Sequence, residues 1–121
     1  MEKSYACETA ETILQQLGGH KFTVMTGSKN YCYGTDDKTN PYLQMCLARN
    51  KSKANRLTIT YDIGTDTYSM RFWRYTASRL DHKTGKFYPD STKDIKVIPA
   101  GLFFDQLRPI FEETTWLYTS L

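Results

Sequence analysis

Cationic and aromatic residues lie close together in two segments in the middle of the chain. The segment R-N-K-S-K-A-N-R spans residues 49–56, and M-R-F-W-R-Y spans residues 70–75. Cations neutralise phosphates, and aromatic rings beside them stack on bases. A nucleic-acid-binding surface is therefore one hypothesis for these residues. Its candidate members are Arg49, Lys51, Lys53, Arg56, Arg71, Trp73, Arg74 and Arg79.

The same residues have two other interpretations that the sequence leaves open. A lysine-rich connection at a sheet edge is a common device against aggregation. Exposed aromatic residues also serve protein partners. The isoelectric point near 8.7 is below the value above about 9 that is typical of dedicated nucleic-acid-binding domains. Nucleic-acid binding, protein binding and an ordinary solvated surface thus remain three alternatives.

A glycine and a lysine follow an apolar segment in M-T-G-S-K-N, residues 25–30. A Walker loop needs the longer pattern G-x-x-x-x-G-K-[ST], in which successive backbone N–H groups surround a phosphate. That pattern is absent, so we expect an ordinary turn in which Gly27 or Asn30 adopts a positive φ. Lys29 stays a candidate for a possible single contact to a backbone phosphate.

Groups suited to catalysis or metal binding are scattered along the sequence. His20 and His82 stand in no Cys/His or Ser/His signature. Three cysteines without a C-x-x-C pair offer no anchor for tetrahedral zinc. The sequence therefore predicts no catalytic residue, no metal and no cofactor. A hydrolase that uses one of the two histidines is the remaining enzymatic alternative.

Composition favours a single folded domain over residues 1–121. The length is typical of one domain, and 40% apolar residues suffice for a core. No apolar run approaches the roughly 20 residues of a membrane span, and the N-terminus lacks the apolar region of a signal peptide. We therefore expect a cytoplasmic protein without membrane contact. Residues 20–86 hold 12 lysines and arginines against 5 acids, so the middle is basic although the net charge is only +3.

Hydrophobic periodicity predicts helices at both ends and strands between them. Apolar spacing over 5–17, with Ser4 as N-cap, predicts a helix that Gly18-Gly19 ends. A second helix is expected from residue 102 onward, and Pro109 either kinks it or divides it in two. Period-two alternation predicts strands at 21–26, 42–48, 56–62 and 67–75, and a further short strand is expected at 95–99. Turn residues predict a hairpin turn at 62–66 and an excursion or weak hairpin over 76–93.

Together these elements predict one α+β domain, with an antiparallel sheet of four to five strands and the N- and C-terminal helices packed on one face. The predicted core of the sheet is Phe22, Val24, Leu43, Met45, Leu47, Leu57, Ile59, Met70 and Phe72.

Three segments, in this order, resemble a family of small, largely uncharacterised proteins that is widespread in bacteriophages and mobile elements. They are L-G-G-x-x-F followed by M-T-G-x-K-N within residues 11–30, the D-T-Y strand at 66–75, and the closing L-Y-T-S-L. In such proteins a glycine ends the last helix, where this chain has Trp116. The resemblance implies a phage or mobile-element origin and supplies no catalytic residues.

Charge and resemblance together lead to a functional expectation. We expect a non-enzymatic accessory protein that binds nucleic acid or a host nucleoprotein complex in the bacterial cytoplasm, in a counter-defence role such as that of an anti-CRISPR-like inhibitor. The alternative is a protein–protein interaction module or homo-oligomer without nucleic-acid contact. The sequence does not indicate the oligomeric state.

Overall fold

The computed structural model describes residues 4–117 as a five-stranded antiparallel sheet with helices from both ends of the chain. Residues 118–121, which include most of the closing L-Y-T-S-L motif, lie outside the described residues. The elements in chain order are α1 (Tyr5–Leu17), α2 (Gly19–Thr26), β1 (Lys29–Thr35), β2 (Pro41–Cys46), β3 (Arg56–Asp62), β4 (Thr67–Thr76), β5 (Arg79–Leu80), β6 (Phe87–Tyr88), β7 (Ser91–Leu102), a 3-10 turn (Phe104–Gln106) and α3 (Leu107–Thr115). The predicted α+β fold is confirmed.

The first helix has the caps that the sequence predicts. The Ser4 hydroxyl accepts a hydrogen bond from the Cys7 N–H at 3.1 Å, which supplies one of the donors left open at a helix start. Gly18 ends the helix at φ 127°, and its N–H donates to the carbonyls of Leu14 and Gln15. This backbone conformation favours glycine because a Cβ atom would be strained there.

The predicted strand over 21–26 is wrong, because these residues form α2. Phe22 and Thr26, one helical turn apart, are both buried, whereas Val24 is 65% exposed. Val24 is therefore not a core residue. Hydrophobic alternation over only six residues does not distinguish a strand from a short helix. Packing of Phe22 into the core favours the helix. Gly27 ends α2 in the left-handed region at φ 71°.

The sheet has the strand order β1-β2-β3-β4-β7, and every pairing is antiparallel. Leu43, Leu57 and Phe72 lie on its helix-facing side and are buried, as the alternation predicts. Residues opposite one another across the strands share a face. Thr58, which pairs with Gln44 on one side and Arg71 on the other, therefore lies on the outer face.

The predicted hairpin at 62–66 joins β3 to β4. Asp66, at φ 54°, takes the left-handed conformation in this turn. The carboxylate of Asp62 accepts from the Gly64 N–H at 3.0 Å. The Tyr61 hydroxyl donates to the Asp66 carboxylate, and this hydrogen bond raises the pKa of Tyr61 to about 12. The phenol therefore remains a donor at neutral pH.

The predicted weak hairpin also forms, as a separate pair of two-residue strands, β5 and β6. The expected short strand at 95–99 is only the middle of β7, which runs for 12 residues and pairs with β4 from Thr76 back to Tyr68. Ile95 falls in a bulge, since Phe72 pairs with Lys96 and Trp73 pairs with Asp94.

The C-terminal helix α3 is shorter than predicted and is preceded by a 3-10 turn, and the division falls between Gln106 and Leu107 and not at Pro109. Leu102 belongs to β7, and Phe103 is 60% exposed between the two elements. Pro109 is the third residue of α3. Its missing N–H belongs to a first helical turn that has no intrahelical acceptors, so no kink is required.

Phe111 links α3 to the rest of the core. Its ring centroid lies 4.9 Å from that of Phe22 on α2 and 6.5 Å from that of Phe72 on β4. All three side chains are fully buried. Their contacts fix where α3 lies and, with it, where its C-terminal end meets the loop between β2 and β3.

We expect Phe111→Ala to lower the free energy of unfolding by about 3–5 kcal/mol, because a large buried side chain is lost and a cavity is left. Phe104→Ala is the matched control: Phe104 is 60% exposed on the preceding turn, and the expected change is within about 0.5 kcal/mol. Equilibrium urea unfolding followed by circular dichroism measures both. Equal losses in the two variants would contradict the described core.

Candidate nucleic-acid interface

The basic loop between β2 and β3 is organised by the side chain of Asn50. Its amide nitrogen donates to the carbonyls of Ala48 and Ala54, both at 2.8 Å. Its amide oxygen accepts from the Ser52 N–H at 3.0 Å and from the Ser52 hydroxyl. One asparagine therefore closes the loop on itself, with Lys53 in the left-handed region at φ 68°.

Asn55 attaches the end of this loop to β4. Its amide nitrogen donates to the Tyr75 carbonyl at 2.8 Å, and its amide oxygen accepts from the Tyr75 N–H at 2.7 Å. The Asn55 N–H donates to the Trp73 carbonyl at 3.1 Å. At the other end, the Lys51 N–H donates to the Thr115 carbonyl at 3.1 Å. The loop is thus held between a strand and the C-terminal end of α3.

A groove of about 870 Å³ opens beside this loop, and we call it the basic groove. Leu47, Ala54 and Ile95 supply apolar lining. Its cationic lining residues are Arg49, Lys51, Lys53, Arg74 and Lys93, and among residues 4–117 no aspartate or glutamate lines it. This is the composition expected of a surface for phosphates.

The cations of the basic groove are mostly unengaged. Within residues 4–117, the charged groups of Arg49, Lys53 and Lys93 have neither a carboxylate nor a hydrogen-bond partner. The Arg74 guanidinium donates to the Lys53 carbonyl at 2.9 Å. The Lys51 ammonium lies 5.0 Å from the ring centroid of Trp116. None of these contacts cancels a positive charge.

The structure separates the eight candidate residues into three groups. Arg49, Lys51, Lys53 and Arg74 line the basic groove, whereas Arg56, Arg71 and Trp73 lie on the outer face of the sheet and Arg79 lies on the β5–β6 hairpin. Strand alternation gives the reason, because adjacent residues such as Trp73 and Arg74 point to opposite faces.

On the outer face, the candidate residues are engaged with one another and with their neighbours. The Arg71 guanidinium lies 2.6 Å from the Asp94 carboxylate and 4.8 Å from the ring centroid of Trp73. The Trp73 N–H donates to the Thr58 hydroxyl at 3.1 Å. The Arg56 guanidinium lies over the Tyr75 ring. This face therefore presents less uncompensated charge than the basic groove.

Two further candidates lie away from the basic groove. The Arg79 guanidinium is 4.3 Å from the ring centroid of Tyr88, on the small hairpin. Lys29 begins β1 opposite Cys46. Gly27 and Asn30 do adopt the positive φ values that an ordinary turn predicts, at 71° and 57°.

Two residues in or beside the basic groove were missed by sequence reasoning. Lys93 was assigned to a polar excursion, but β7 begins at Ser91 and pairs Lys93 with Arg74. The tetrapeptide S-T-K-D ahead of I-K-V-I-P is polar throughout, so hydrophobic alternation gave no signal for a strand there. Trp116 could not be placed from sequence, and it is 63% exposed beside Lys51.

The described part of the chain gathers no metal ligands and joins neither histidine to the basic groove. Over residues 4–117, no cluster of three or more His, Cys, Asp or Glu side chains could hold a metal ion. His20 on α2 and His82 between β5 and β6 are both exposed, and neither lines the basic groove. Cys7, Cys32 and Cys46 are free thiols.

The helices in the described range are too short or too polar to cross a membrane. No protein-family model matches the chain, and no curated protein or solved structure is significantly similar to it.

Replacement of the central loop asparagine should loosen the basic loop. We expect Asn50→Ala to lower the free energy of local opening by about 1–3 kcal/mol, because several polar groups lose their hydrogen-bond partner. Hydrogen exchange of the backbone amides at residues 48–55 measures this, with an acceleration of roughly 5- to 150-fold. Lys53→Gln, in the same loop, alters a side chain whose charged group has no carboxylate or hydrogen-bond partner among residues 4–117, so it should leave the exchange rates unchanged. Equal rates in wild type and Asn50→Ala would show that the loop is held by other contacts.

Proposed function

We propose that the protein binds nucleic acid, with the phosphate backbone lying in the basic groove. The observation that carries this proposal is the lining itself: five cationic side chains, no carboxylate, and three charges without a partner among residues 4–117. The regularly spaced phosphates of a nucleic acid would supply the negative charges that these cations lack. A sulfate-sized or phosphate-sized ligand would need fewer cations, so an extended phosphate chain fits better.

The outer face of the sheet is the less favoured surface for phosphates. The charge of Arg71 is paired with Asp94, and Trp73 is only partly exposed. Base stacking on Trp73 would require displacing either the arginine above its ring or the neighbouring strand residues. We therefore assign phosphate binding to Arg49, Lys51, Lys53, Arg74 and Lys93.

The biological setting of the proposal comes from the motif resemblance. We propose a non-enzymatic phage or mobile-element accessory protein in the cytoplasm of a bacterial host. There the basic groove would bind free nucleic acid or the nucleic acid of a host nucleoprotein complex. Masking such a nucleic acid is a simple way for a small protein to inhibit a defence complex, as an anti-CRISPR-like protein would.

A second candidate function is protein binding through an apolar surface. Phe103 and Phe104 are each 60% exposed at the junction between β7 and α3. Adjacent exposed phenylalanines are unusual on a monomer surface and favour a protein partner or a second copy of the chain. This surface involves other residues than the basic groove, so the two functions are separable by mutation.

Neutralising the unengaged cations tests the proposal directly. The triple variant Arg49→Gln, Lys53→Gln, Lys93→Gln removes charges that make no contact within the described residues, so the fold should be preserved. We expect labelled single-stranded DNA and RNA to bind the wild type, and the variant to bind roughly tenfold or more weakly at moderate salt. The salt dependence of log K should become shallower by about 2, at about 0.7 per lost phosphate contact. Fluorescence anisotropy at several salt concentrations measures both.

The matched control removes the same charge elsewhere. Lys21→Gln, Lys38→Gln, Lys83→Gln alters three exposed lysines outside the basic groove, and we expect it to bind nearly as the wild type does. Equal weakening in both triple variants would show that only net charge matters. Absence of binding to single strands and duplex at low salt would overturn the proposal, and sedimentation of Phe103→Ser and wild type would then test the second candidate.

A further inference from the structure

Trp116 occupies a position that is unfavourable for a tryptophan in two respects. It ends α3 in the left-handed region, at φ 61° and ψ 17°, where a bulky side chain is strained by about 1 kcal/mol or more. Its side chain is 63% exposed, so the indole gains little from burial. Residues held in such conformations concentrate at functional sites. The combination of strain and exposure at Trp116 therefore favours a functional role for its side chain.

The indole lies directly beside the basic groove. The Lys51 ammonium is 5.0 Å from its ring centroid, and the same lysine lines the groove. The Lys51 N–H is bonded to the Thr115 carbonyl, one residue before Trp116. The helix end, the lysine and the indole are therefore held as one unit. A cation–π contact at an exposed site offsets only part of the strain at Trp116.

The other tryptophan shows what a structural role looks like in this fold. Trp73 is half-buried on β4, its N–H donates to Thr58, and the Arg71 guanidinium covers its ring. The Lys51 ammonium lies over one side of the Trp116 ring, but Trp116 is 63% exposed and its indole N–H has no hydrogen-bond partner within residues 4–117. Its open aromatic surface next to a row of cations matches the arrangement by which proteins bind single strands, with bases stacked on aromatic rings and phosphates on cations.

We propose that Trp116 stacks on an unpaired base of a single-stranded nucleic acid whose phosphates lie in the basic groove. This inference rests on the proposed function and names its substrate class. A base within a duplex is already stacked on both sides and is not available to the indole. Selectivity for single strands over duplex follows from that difference.

The experiment separates bases from phosphates. Fluorescence anisotropy compares a short oligothymidylate with an abasic oligonucleotide of the same length and charge, each bound to wild type, Trp116→Leu, Trp116→Phe and the groove triple variant. We expect Trp116→Leu to weaken oligothymidylate binding by roughly 5- to 150-fold, the range for one stacked base. Abasic binding should not change, and Trp116→Phe should retain most of the preference for bases.

A stability control keeps the test falsifiable. Glycine tolerates the left-handed conformation, so Trp116→Gly should unfold at a temperature no lower than that of wild type while losing the preference for oligothymidylate. If it unfolds much earlier and Trp116→Leu weakens both oligonucleotides equally, the indole serves the fold and the inference is overturned.

The two proposals fail in different ways. Equal wild-type affinity for the two oligonucleotides, lost in the triple variant, would leave phosphate binding intact and overturn the stacking role. Binding of neither oligonucleotide would overturn the proposed function and the stacking role together. A preference for bases that persists in Trp116→Leu would also overturn the inference, because the bases would then be recognised elsewhere.

Discussion

Like charges around one groove repel one another, and uncharged groups hold the basic groove in shape against that repulsion. Asn50 closes the loop through its side-chain amide, and Asn55 attaches the loop to β4. The backbone bond from Lys51 to Thr115 attaches it to α3. A carboxylate at position 50 or 55 would lose the hydrogen bonds that the amide nitrogen donates to backbone carbonyls, and it would also cancel the charges around it. Amide anchors keep the positive potential available to a ligand.

Much of the fold follows from sequence periodicity, and the errors have physical causes. Strands β2, β3 and β4 are long enough for alternation to identify both the strand and its buried face. The strand prediction for residues 21–26 was wrong because a six-residue segment with one buried aromatic residue, Phe22, is compatible with a strand or a helix. Tertiary packing of Phe22 into the core favours the helix. The N-terminal part of β7 was not predicted, because Ser91 to Asp94 are exposed at a sheet edge and include no apolar residue.

The candidate site was predictable in composition but not in geometry. The basic character of segment 49–56 is visible in the sequence. The sequence does not show that Arg74 lies in the same groove, whereas Arg71 and Trp73 lie on the opposite face of the sheet. That division depends on which side of β4 each residue occupies and on the bulge that shifts β7 by one residue. Trp116 could not be interpreted either, since its position depends on how α3 ends against the loop.

The central claim is that the basic groove, and not the outer face of the sheet, meets the ligand. Backbone amide chemical shifts, followed by NMR during titration with a short oligothymidylate, test it most directly. The account predicts that the largest changes fall on residues 49–55, 74, 93 and 115–117, with small changes at Gln44, Thr58 and Arg71. The reverse distribution, with the outer face shifting and the groove unchanged, would contradict the account.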